Sequence, residues 1–269
     1  MTARRRTVSR GGFVFLFVLM VIVVGTIAIG ATINAMTFKS RVTELRVQQY
    51  RTQHEVQSVK HMVQWWLMQQ NRARASRRSN QTNALLLLAQ TPGATQRFTL
   101  ETGLVVVVSV RDAQGTILAR LDDSLSPSNY EWVFGVLSRM PQERVDLVRR
   151  HGPLSVSIMS ASDEVLTAIA ENDFELVSAL ISARNEGITD PATFAQTLAS
   201  QGIEPAVTQA LLSHVTLTPT LWEMQIEVID PNADLTRRYT MIVEQSSTFP
   251  IVHRWGPYIE PQSPDGPRR

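Results

Sequence analysis

A chain of 269 residues with 26 basic against 24 acidic side chains and no cysteine has length for one large domain or two small ones and room for a sizeable core. The missing cysteines exclude disulfides, thiolate metal sites and cysteine nucleophiles. A formal net charge of only +2, with basic residues that lack interleaved aromatic rings, speaks against a nucleic-acid partner.

No side chain is charged from Gly11 to Phe38. The apolar stretch over 13–36 exceeds the roughly 20 residues a helix needs to cross a bilayer, and predicts a transmembrane helix. A cleaved secretory signal is the competing reading, because Thr32-Ile33-Asn34-Ala35 loosely resembles a small-residue cut site ahead of Met36. The apolar core is too long for that, since a secretory one has about 7 to 15 residues. Charges flank the span almost evenly, Arg4, Arg5, Arg6 and Arg10 against Lys39, Arg41, Arg46 and Arg51. The N-terminus is placed in the cytoplasm because a short arginine tail precedes the span.

Val42, Leu45, Val56, Val59, Val63 and Trp66 recur at helical spacing apart from one polar gap, and no Gly or Pro intervenes between the span and Pro92. The helix is therefore expected to run on through 37–90, and from Phe13 to Ala75 it would measure about 95 Å if unbroken. Its seam suits packing on its own domain or on partner helices. Ala84 to Ala89 reads as a further helical piece closed by Pro92-Gly93. Leu104 to Val110 is a β-branched run expected to be covered on both faces. With Thr116 to Leu121 it predicts a hairpin turning at a positive-φ Gly115. Ser128 to Arg150 reads as two short helices broken by Pro141.

A short strand, Leu154 to Ile158, leads into Ser160 and Asp163, spaced to satisfy free amides at a helix start. Helices are expected over 165–170, 174–183, 192–200 and 206–215; Asp190-Pro191 and Glu204-Pro205 mark starts, Gly187 and Gly202 stops. Strands over 222–229, 238–245 and 251–255 alternate as an antiparallel sheet. The Pro-rich tail, 256–269, has no periodicity and reads as disordered. The fold class is α+β: a long N-terminal transmembrane helix continuing into a domain at 91–255, with an antiparallel sheet and a central set of short helices at 160–216.

No catalytic constellation emerges. His54 and His61 lie seven apart on a helix, unlike the i, i+4 spacing of a helical metal pair, and read as solvent-facing. His214 ends a helix, where a cation suits the dipole. Calcium candidates are Asp122 with Asp123, and Asp230, Asn232 and Asp234. The second set lacks the following Gly and distant Glu of an EF-hand loop, so turn chemistry also explains it. A tethered hydrolase would need a convergent nucleophile or acid/base set, and only scattered Ser, Asp and His are present. The paired helices over 174–214 also suggest a helix-hairpin-helix DNA module, but Glu186 and Asp190 beside Gly187 would repel phosphate.

Arg10-Gly11-Gly12 ahead of a Phe-rich apolar helix resembles a prepilin leader, residues 1–12, with the cut between Gly12 and Phe13. The fifth position after that cut is Phe17, where most pilins and pseudopilins carry Glu; the minor pseudopilin K family of type II secretion systems typically lacks it. Ser157-Ile158-Met159-Ser160-Ala161 with Val165-Leu166 resembles that family's strand-to-helix segment, Ser157 and Met159 replacing two asparagines. Ala179 to Arg184, Phe194 and Tyr239 to Glu244 are similar to its small-residue helix, Phe-bearing helix and closing strands. The resemblance implies a structural subunit of the bacterial inner membrane with a periplasmic domain, processed by a prepilin peptidase and assembled with other minor pseudopilins at a pseudopilus tip. The family's calcium-binding loops are not matched residue by residue, and no cofactor or nucleic acid is expected. The alternative is a single-pass membrane-anchored periplasmic scaffold or binding module whose anchor stays uncut.

Overall fold

The computed structural model describes residues 11–76, 84–119, 125–141, 143–231, 234–246 and 249–258. The chain opens on helix α1 (Gly11–Ser76), 66 residues without a break, and divides into two compact units after Met62. In chain order follow α2 (Ala84–Gln90), β1 (Gln96–Thr99), β2 (Val105–Asp112), β3 (Ile117–Leu118) and α3 (Pro127–Arg139). A 3-10 turn at Val145–Leu147 leads to β4 (Val148–Arg149) and β5 (Val156–Ser157). Then come α4 (Asp163–Ile169), α5 (Phe174–Asn185), α6 (Pro191–Ser200), α7 (Pro205–Leu212), β6 (Val215–Thr216), β7 (Leu221–Asp230), β8 (Leu235–Glu244) and β9 (Ile251–Pro257). The class is α+β.

In the first unit α1 is apolar on every side from Val14 to Phe38. Its large side chains from Val14 through Val24 stand exposed, Phe15 at 70% and Phe17 at 60%, an arrangement that suits an apolar surround rather than water. The threonine side chains along it satisfy themselves: the hydroxyls of Thr26, Thr32 and Thr37 each donate to the carbonyl four residues earlier, at 2.8 Å. That is how a hydroxyl is tolerated where no water can bond it. The helix is long and apolar enough to cross a membrane.

The second unit is built on a five-stranded antiparallel sheet in the order β1-β2-β7-β8-β9. Alternation decides its faces. Val106, Val108, Val110, Trp222, Met224, Ile226, Val228, Met241 and Val243 are buried, and register places them on one face. The last turns of α1 and helix α2 supply further buried residues: Val63, Trp66, Leu67, Leu85 and Leu86. Trp66 meets Phe98 of β1 edge-on at 5.7 Å, whereas its neighbour Trp65 is exposed. The other face carries Val107, Ser109, Arg111, Glu223, Gln225 and Glu227, half-buried or exposed. The run Leu104 to Val110 is thus fully buried on one face only.

Between the neighbouring strands β2 and β7 the chain inserts residues 113–220 as a second layer with its own core. Val133 and Val136 of α3, Val165 and Leu166 of α4, Ala179 and Leu180 of α5, Phe194 and Leu198 of α6, and Leu211 of α7 meet there. The helix starts follow their sequence signals. Asp190 accepts from the Thr193 amide at 2.8 Å and Asp173 from those of Glu175 and Leu176 at 2.9 and 3.2 Å. Gly187 and Gly202 take the positive φ of helix ends, 71° and 87°.

Several expectations are corrected. Residues 104–121 form no hairpin: β2 pairs with β1 and β7, while β3 pairs in parallel with β4. Gly115 is absent from the positive-φ residues; a Cβ there would fall 2.4 Å from the Ser160 backbone, so close approach rather than turn geometry requires the glycine. Strand β1 was not anticipated, because four residues with Phe98 as the single apolar one leave no alternation. The segment after Pro141 is a 3-10 turn and a strand instead of a second helix, and α3 belongs to the helical core, so that layer starts well before residue 160. The cap of α4 is Ser162, accepting from the Val165 amide at 3.4 Å, instead of Ser160. The strand expected over 154–158 holds only Val156 and Ser157, and helix α7 stops at Leu212 before β6. At the C-terminal end β9 runs through Pro257, and Tyr258 donates its amide to the Arg238 carbonyl. The start of the expected tail is therefore sheet; residues 259–269 lie outside the described residues, as do 1–10.

Candidate functional site

Of the junction singled out in the sequence, Gly12 and Phe13 lie with Gly11 in the first turn of α1, while leader residues 1–10 fall outside the described residues. Of the calcium candidates, Asp122, Asp123 and Asn232 also lie outside them. Asp230 ends β7 opposite Leu235, and Asp234 takes a left-handed φ of 48°, a conformation tight turns use and Asp tolerates. Among the described residues no group of three or more His, Asp or Glu is placed to hold a metal ion.

Two segments quoted from the sequence meet. Arg184 closes α5 and reaches back across the helical layer, donating to the Ala161 carbonyl at 2.8 Å and pairing with Asp163 at 2.8 Å. The small residues Ala179 and Ala183 are fully buried, which lets α5 lie close to α4. Arg139 of α3 fastens the same layer through the Ala168 carbonyl at 3.2 Å and Glu171 at 2.8 Å.

Where the helical layer meets the sheet, the chain buries a polar knot with no counterpart in the sequence reading. The side-chain carbonyl of Gln114 accepts from the amides of Thr220 at 2.8 Å and Leu221 at 3.2 Å. Its Nε2 donates to the Ser155 carbonyl and hydroxyl, both at 2.9 Å. The Asp112 carboxylate accepts from the Gln114 amide at 2.7 Å and from the Ser157 hydroxyl at 2.5 Å. Burial pushes the Asp112 carboxyl up, against the hydrogen bonds from Ser157, Gln114 and Ser160 and the charge of Arg149. Burial likewise lowers the Arg149 guanidinium to about 10, against the carboxylates of Asp112 and Glu244. That guanidinium donates to the carbonyls of Thr116 and Pro153 and, at 3.0 Å, of Ser155. Ser157 is fully buried, so its contact with Asp112 is out of reach of a substrate and acts as internal support.

His54 and His61 are exposed, as the sequence reading has them, whereas His214 departs from it. His214 stacks on Trp132 at 4.3 Å, the planes 7° apart. Burial lowers its pKa and its Nδ1 has no partner, so a neutral ring lining a groove replaces the cation expected at a helix end. The groove measures about 630 Å³ and is walled by Ile169, Leu176, Val207 and Leu211. His253 bonds Glu244 at 2.9 Å and stacks on His151 at 5.6 Å. The side-chain pairings of Gln114 join residues 41 to 107 positions apart, and only a folded chain reveals them.

No family profile matches the sequence, and no curated protein is similar to it. Among solved structures, the chain is similar to the crystal structure of the GspK-GspI-GspJ complex from the type 2 secretion system of enterotoxigenic Escherichia coli. The match has 10% identity and a TM-score of 0.39, covering 76% of this chain and 98% of that one.

Proposed function

We propose that this protein is a structural assembly subunit of the minor pseudopilin type, acting in a type II secretion pseudopilus. The observation that carries the reading is the Gly11-Gly12-Phe13 junction at the head of a helix that is uncharged to Phe38 and apolar on all sides. A prepilin peptidase cuts such a junction at the cytoplasmic face of the inner membrane. The helix then holds the subunit in the bilayer, with the mixed domain in the periplasm. Phe17 stands where most pilins and pseudopilins carry a glutamate, so this chain brings no carboxylate to neutralise a neighbour's N-terminal amine. That suits a first or topmost subunit in contact with other minor pseudopilins, and the reading needs no cofactor and no catalytic group.

A plain single-pass anchor carrying a scaffold or binding module is the second reading, favoured only if the junction stays intact. Mass spectrometry of the N-terminal peptide of the membrane-extracted protein separates the two. A start at Phe13, N-methylated in particular, is the expected result. An intact Met1 or Thr2 refutes processing and leaves the uncut anchor; a start near Met36 refutes both, because the helix is then a secretory signal.

A further inference from the structure

On the half-open face of the sheet, beside the polar knot, lies a concave basin of about 560 Å³ whose lining includes Arg149, Arg150, His151 and Arg254 over apolar walls of Leu221 and Ile242. We propose that this basin is a binding site for a small oxyanion, a phosphate or a carboxylate.

The three guanidinium groups play different parts. Arg149 is committed to carbonyls of its own chain and supplies a fixed, half-buried positive charge behind the basin. Arg150 and Arg254 are exposed, and among the described residues neither side chain makes an ion pair or a hydrogen bond. Each holds five N–H donors in a planar fork, the geometry that grips carboxylate or phosphate two-pronged. Like charges gathered in a concavity with apolar walls focus a positive potential and repel one another, and an anion relieves both.

The nearby carboxylates do not cancel this charge. Glu244 is engaged by His253 at 2.9 Å. Asp112 is half-buried and held by the hydrogen bonds of the knot. Glu223 shares a cross-strand row with Arg111 and Ile242, two strands from Arg254 and so about 10 Å away.

The test is isothermal titration calorimetry of the full chain in detergent at pH 7.5, with inorganic phosphate and, separately, succinate, at ionic strength matched with sodium chloride. Saturable one-site binding of phosphate is expected, weakened about tenfold in Arg150→Gln and in Arg254→Gln and abolished in the double variant. Arg97→Gln, an exposed arginine on β1, removes the same charge elsewhere and should leave binding unchanged. Binding of succinate with the same arginine dependence also supports the site and assigns it to carboxylates; phosphate alone assigns it to phosphates. Absence of saturable binding for both anions overturns the proposal, as does equal weakening by Arg97→Gln, which would mean diffuse charge attraction. Unchanged near-UV circular dichroism in each variant secures the comparison against misfolding.

Discussion

Replacing Gln114 by alanine isolates what joins the helical layer to the sheet. The substitution strips the acceptor from the Thr220 and Leu221 amides and the donor from the Ser155 carbonyl, at a side chain only 1% exposed. The Ser155 carbonyl keeps the Arg149 guanidinium at 3.0 Å; an orphaned buried backbone group costs about 1 to 3 kcal/mol, so the two amides, partly relieved by entering water, predict a loss of about 2 to 5 kcal/mol. For a domain of this size each kcal/mol lowers the midpoint by about 2 to 4 °C, giving a fall of about 4 to 20 °C. Thermal unfolding of the detergent-solubilised chain, followed by tryptophan fluorescence, reads this through Trp222, which is fully buried beside the knot. Gln114→Glu sharpens the test. At neutral pH it turns the donor facing Ser155 into a second acceptor and should destabilise comparably; on acidification the protonated carboxyl donates again and stability recovers toward wild type. A Gln114→Ala variant within about 0.5 kcal/mol of wild type would refute the view that this side chain ties the layers together.

Two further outcomes are expected. Gly115→Ala places a Cβ 2.4 Å from the Ser160 backbone, a contact no rotamer change relieves, so overpacking should cost about 1 to 3 kcal/mol in chemical denaturation; an unchanged midpoint would contradict the close approach. His214 has a pKa lowered from 6.5 by burial, so the unfolded chain takes up the proton first, and stability should fall as pH drops below 6.5. His214→Phe keeps an aromatic ring on Trp132 without a titrating group, and its stability profile across that range should be flatter than wild type.

The parts legible in the sequence were those governed by local physics. Asp190-Pro191, Glu204-Pro205, Gly187 and Gly202 announced helix ends because caps and left-handed backbone are local matters. The strands over 222–245 announced themselves by period-two alternation across a half-open sheet. What failed was pairing. Gly115 looks like a turn glycine until the distant Ser160 is laid against it, and Val105 to Val110 looks like one arm of a hairpin until Leu221 to Asp230 returns from across the insert. Gln114, Asp112 and Arg149 carry no motif, since their role comes from residues that folding delivers. His214 misled for the same reason: the nearby helix end is visible in the sequence, but Trp132 is not.

The placement of residues 113–220 between two adjacent strands has a kinetic consequence. The Ala113 amide bonds the Leu221 carbonyl at 3.1 Å, so the ends of the long insert are brought together at the mouth of the sheet. Closing so long a loop as loose chain carries a high entropic cost, one that grows with the logarithm of its length. An insert that has first condensed on its own core presents its two ends already near each other. The helical layer then acts as a template that shortens the effective separation of β2 and β7, converting the pairing of highest contact order into a nearly local step.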